Sequence, residues 1–195
     1  MTRNKINKRL LAGCLVGAAV FGGAFFAYQE LLLSGIEDLP GKPCKGAVER
    51  STASDILPSA REVEESSRQR IEDGTYYFHC NLTTSSGSIL SATVNTRDVT
   101  TTSWEKYYRN QQDGEPSRIS KNNIAALSWP RETITYMPCT PIGAKKSEAS
   151  QGYSLVVEVM IVGEAKEPGT ILRHNLNEFA FQAANYAKRT AQCQL

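Results

Sequence analysis

The sequence is poor in the residues that build metal and catalytic centres. Its 195 residues include only two histidines, His79 and His174, and five cysteines, no two of them in C-x-x-C spacing. Zinc ligands are seldom so scattered, so no metal site is expected. Glycine (14) and proline (8) are too few for a collagen-like or low-complexity chain. A hydrophobic fraction of 41% beside 22% charged residues excludes a disordered chain, a coiled coil and a polytopic membrane protein. Three catalytic or nucleotide signatures are also missing: the G-x-S-x-G elbow, the Walker loop and the dinucleotide-binding glycine fingerprint. An α/β-hydrolase therefore has no support, and no cofactor is expected.

Neither sign of charge dominates, with 22 basic against 20 acidic residues. The basic excess is local, because Arg3, Lys5, Lys8 and Arg9 precede any acidic residue. Without them the rest carries 22 − 4 = 18 basic and 20 acidic groups, a net of −2. That balance gives a folded domain no electrostatic reason to seek nucleic acid.

Behind the cations lies LLAGCLVGAAVFGGAFFAY, Leu10 to Tyr28, 19 residues without a charge. As a helix it is about 28 Å long, close to the thickness of a bilayer's apolar core. The cations hold the N-terminus in the cytoplasm, so the remainder is expected outside. Cleavage after Gly22-Gly23-Ala24 would leave Phe25, Phe26 and Leu31 to Leu33 stranded on the mature chain, which favours an uncleaved anchor. Leu11-Ala12-Gly13-Cys14 spells a lipoprotein cleavage box, but it precedes the apolar stretch instead of following it. The expected layout is a basic tail at 1–9, a transmembrane signal anchor at 10–33, a linker at 34–45 and an extracytoplasmic domain at 46–195. Gly13 and Gly17 have the four-residue spacing that lets two helices approach closely, one reading being a homodimer through the span. The other reading is that small residues are common in such spans, and it is favoured.

Cys14 lies in the span, and Cys44, Cys80, Cys139 and Cys193 lie beyond it. An even number of cysteines in an oxidising compartment suggests two disulfides. Four cysteines allow three connectivities. Nearest-in-chain pairing favours Cys44–Cys80 and Cys139–Cys193.

The exported part alternates element types. A helix is expected over 47–57, ended by Pro58, and the charged stretch 59–73 is expected to be a solvated helix or loop. Tyr76, Phe78, Cys80 and Leu82 alternate with polar residues, and Leu90, Ala92 and Val94 repeat the pattern after Ser85-Ser86-Gly87. Together they predict a hairpin. Trp104, Tyr107 and Tyr108 share one helical face. Short strands are expected over 123–129 and 132–137. Residues 152–163 are apolar on both faces apart from Glu158, which predicts a central strand. Asn175 with Glu178 resembles a capping box opening a last helix, whose stripe Leu176, Phe179, Ala180, Ala183 and Ala187 leads on to Cys193. The fold class is α+β: an antiparallel sheet with helices packed on one face.

Candidate chemistry is sparse. His79 is the sharpest catalytic candidate, but its strand neighbour Cys80 points to the opposite face, so the two cannot act together. No catalytic residue is assigned. Trp104, Tyr107 and Tyr108 are the candidate partner-binding residues, set against a plainer role as a helix face packed on the sheet.

The basic head, single span, Pro43-Cys44-Lys45-Gly46, the tyrosine-rich strand reaching Cys80, Pro138-Cys139 before the central strand and the terminal Cys193 form one layout. That layout resembles small signal-anchored extracytoplasmic proteins of high-GC Gram-positive bacteria. The resemblance implies an envelope location, no catalytic residues and disulfide roles for the four exported cysteines. The function expected is a non-enzymatic binding module of the cell envelope, its partner an envelope protein, a glycan or a small ligand. The alternatives are an envelope hydrolase with acids assembled from distant loops, or an accessory subunit of a membrane complex.

Overall fold

The computed structural model describes residues 34–142 and 152–193. The expected basic tail, the anchor at 10–33, Cys14 and the Gly13/Gly17 pair lie outside the described residues. Among the described residues no helix is long and apolar enough to cross a membrane.

Seven strands form one antiparallel sheet. In chain order they are β1 (Val63–Glu72), β2 (Thr75–Thr84), β3 (Ile89–Asp98), β4 (Ser117–Lys121), β5 (Ile124–Ser128), β6 (Glu132–Pro138) and β7 (Tyr153–Val162). Among the described residues four helical segments accompany them: α1 (Pro43–Gly46), α2 (Arg50–Ser54), α3 (Thr101–Gln111) and α4 (Gly169–Thr190). The spatial order is β1-β2-β3-β7-β6-β5-β4, so β7 is the middle strand, as its two apolar faces predict. The predicted hairpin is β2–β3, with Phe78 opposite Val94 and Cys80 opposite Ala92.

One face of the sheet carries the main core. Phe78, Cys80, Leu82, Leu90, Val94, Leu155, Val157 and Val159 are all buried there. Across them lies α4, whose stripe Leu172, Leu176, Phe179, Ala180, Ala183 and Ala187 is buried as its spacing predicts. The segment 34–45 lies against the same side, with Leu39 and Cys44 in this core. Both disulfides form as the nearest-in-chain pairing expects. Cys44–Cys80 ties α1 to β2, and Cys139–Cys193 ties the residue after β6 to the end of α4.

Four expectations are corrected. First, helices are not confined to one face. α3 lies on the face opposite α4, where Trp104 and Tyr108 pack with Leu127, Trp129, Ile134, Tyr136 and Val156 in a second core. The cause is the run β5–β7, which is apolar on both faces and needs a cover on each. Second, the charged stretch 59–73 contains an edge strand, β1, paired along its whole length with β2. Its inward positions Glu65, Ser67 and Gln69 are only half-buried, so no apolar alternation marks it. Third, the helix expected over 47–57 shrinks to the five residues of α2. Fourth, α4 begins at Gly169, six residues before the expected cap. Asn175 sits inside the helix, where its Nδ2 donates to the Asp55 carbonyl at 2.9 Å.

Candidate functional site: the pocket beneath α3

The site is built by the seating of α3 on the second face. The helix opens with a reciprocal cap: Ser103 N–H donates to Thr100 Oγ1 at 3.2 Å, and Thr100 N–H donates to Ser103 Oγ at 3.0 Å. Three further bonds hold it and its flanks down. Tyr136 OH on β6 donates to the Val99 carbonyl before the helix at 3.3 Å. Trp129 Nε1 donates to the Gly114 carbonyl after it at 3.0 Å. In the middle Tyr108 OH donates to Glu158 Oε1 on β7 at 2.5 Å. On the outer side, Glu105 pairs with Arg109 and with Arg118 of β4, each at 3.1 Å.

The three aromatic residues singled out in the sequence divide between two roles. Trp104 and Tyr108 are buried in the second core, whereas Tyr107 stays 57% exposed. The Tyr107 ring stands edge-on to Tyr108 at 5.0 Å, and Trp104 lies 5.4 Å from Tyr136. Thus the helix-face reading holds for two of them. All three nevertheless line one pocket, a cavity of about 210 Å³ completed by Arg97, Val99 and Val156.

The titratable groups around this face are shifted by their surroundings. Burial raises the Tyr108 phenol well above its ordinary value, and the hydrogen bond to Glu158 adds to the rise. Glu132 on β6 is pushed up to about 7, first by burial and then by the charge of Glu158. In register Glu132 faces Met160, so Glu158 is its diagonal neighbour across β6–β7. Neither carboxylate lines the pocket beneath α3.

His79 lies on the same face, on β2. Its Nδ1 is 3.1 Å from Thr93 Oγ1 of β3, a cross-strand contact. Cys80 is bonded to Cys44 and is no nucleophile. Among the described residues no group of three or more His, Cys, Asp or Glu side chains is placed to hold a metal ion.

Sequence reasoning missed Arg97, Val99, Val156, Glu132 and Glu158. Only Glu158 left a signal, as the one charge interrupting the Val156, Met160, Val162 face of β7. No family model, curated protein or solved structure matches this chain.

Proposed function

We propose that the protein is a single-pass, membrane-anchored binding module whose disulfide-bonded domain works outside the cytoplasm. The basic head and the 19-residue apolar run supply the anchor. The paired cysteines Cys44–Cys80 and Cys139–Cys193 suit an oxidising compartment. Binding without catalysis is supported by one observation above others. The pocket beneath α3 has aromatic and aliphatic walls, and its one shifted titratable group, Tyr108, has its hydroxyl proton committed to Glu158. A phenol so held is neither a base nor a nucleophile at neutral pH. Anchoring then raises the effective concentration of a modest binder near its partner.

Thiol labelling of intact cells with a membrane-impermeant maleimide, before and after reduction, tests this reading. Four cysteines should react from outside, and only after reduction. Labelling that requires lysis, on thiols already reduced, would sink it.

A further inference from the structure

We infer that β1 is a docking edge and that its partner is a second copy of this chain, joined strand to strand so that one sheet runs through both protomers. The inference goes beyond the binding-module reading and does not depend on it.

The backbone shows which groups are free. In an antiparallel ladder, alternate residues turn both N–H and C=O to the same neighbour. Tyr76 N–H donates to Thr96 Oγ1 on β3 at 2.8 Å, so the even-numbered residues of β2 turn towards β3. Ser85 N–H donates to the Glu62 carbonyl at 2.9 Å, so the even-numbered residues of β1 turn towards β2. The unbroken register from Val63 to Glu72 carries this alternation along the strand. Val63, Glu65, Ser67, Gln69 and Ile71 therefore point N–H and C=O away from the sheet. Among the described residues none of these groups has a partner. The opposite edge differs. β4 has five residues, and its cations are engaged within the chain, Arg118 by Glu105 and Lys121 by Glu178. β1 is ten residues long and carries no proline, lysine or bulge, the devices that keep an edge from pairing.

Charge selects the partner. A two-fold axis normal to the sheet brings two β1 strands together antiparallel and keeps each residue on its own face. Centred on Ser67, it sets Glu64 opposite Arg70 of the second copy, Ser66 opposite Arg68, and Val63 opposite Ile71. By symmetry the Glu64–Arg70 contact is made twice. It falls at non-hydrogen-bonded positions, where facing side chains are closest. Ile71, 47% exposed in the single chain, gains an apolar neighbour. An axis at Arg68 would set that residue against itself and Glu64 against Glu72. An axis at Ser66 would carry the pairing past Val63, where Gly35 packs on the Glu62 backbone. The axis at Ser67 also leaves the 34–45 segments of both protomers on the α4 face, so both N-terminal sides look the same way.

The test uses the full chain in detergent micelles with Cys14→Ala, which makes an added cysteine the one unpaired thiol. Ser67→Cys should give a disulfide-linked dimer on oxidation, because facing Cα atoms there lie about 5.5 Å apart. Gln69→Cys, about 14 Å from its own copy in this register, should not. Sedimentation equilibrium reads the strength of the dimer. Arg70→Glu should weaken it at least ~10-fold, and Glu64→Arg/Arg70→Glu should restore it to within about threefold. Ser67→Pro removes an outward N–H that β2 does not use, so it should abolish the dimer while circular dichroism shows the fold retained. Equal linkage by Ser67→Cys and Gln69→Cys, or a dimer that survives Arg70→Glu, would overturn the edge pairing and place the contact elsewhere. A monomer through the upper micromolar range would overturn it outright, and protected β1 amides in that monomer would assign the edge to another segment of the same chain.

Discussion

Tyr108 and Glu158 are 50 residues apart in the chain and 2.5 Å apart in the fold. Their bond links the middle of α3 to the central strand beside the apolar second core. Tyr108→Phe keeps the ring and removes only the donor. A hydrogen bond to a charged group of this kind contributes about 2 kcal/mol. Urea unfolding should show a loss of that order with an unchanged m-value, and the Trp104 resonance should broaden as the helix loosens. A change below about 0.5 kcal/mol would mean that Glu158 is solvated instead.

Glu132 makes stability depend on pH. Its folded value of about 7 lies above the ordinary 4.5. The native state therefore holds the proton more tightly than the unfolded chain does. That contribution is complete below about pH 4.5 and is lost as pH rises towards 7. The cost at pH 8 is at most about 3 kcal/mol. Glu132→Gln should flatten the slope between pH 5 and 8 and stabilise the protein at the upper end. Glu158→Gln should shift the midpoint downward only in part, because burial is the larger cause.

The two disulfides close loops with sequence separations of 36 and 54 residues. Chain entropy assigns about 4 kcal/mol to each. Cys139→Ala/Cys193→Ala should lower the urea midpoint by a matching amount and expose the last turns of α4 to hydrogen exchange first. Loss of protection starting instead at α3 would contradict the pairing described.

Gly35 provides a backbone test. A Cβ there would fall 2.5 Å from the Glu62 backbone, and Gly35 N–H donates to the Ala60 carbonyl at 2.9 Å. Main chain cannot step aside as a side chain can. Gly35→Ala should cost about 1 to 3 kcal/mol, whereas Gly41→Ala, with open space around it, should change little. Thermal unfolding of the pair decides.

What the sequence revealed followed burial. β7 was legible because both its faces are apolar, and β2–β3 because one face is. The disulfide pairing was readable from nearest-in-chain order. β1 and β4 were illegible for the opposite reason. Both are edge strands, and Ser117–Lys121 has Ile119 as its one apolar residue. Nothing in such a segment distinguishes a paired backbone from a solvated loop. The aromatic stripe of α3 announced that it would be buried but not on which face of the sheet. The pocket was harder still, because Arg97, Val99 and Val156 join it through register and not through spacing.

The bond between Cys44 and Cys80 has a mechanical consequence. Tension reaching Cys44 from the N-terminal side crosses through sulfur to the second strand of the sheet. Once the bonds that Ala60 and Arg50 make to residues 35–41 have parted, residues 45–79, with α2 and all of β1, lie outside that load path. A tether at the front of the domain would therefore pull on the interior of the sheet and could not unzip its outermost strand.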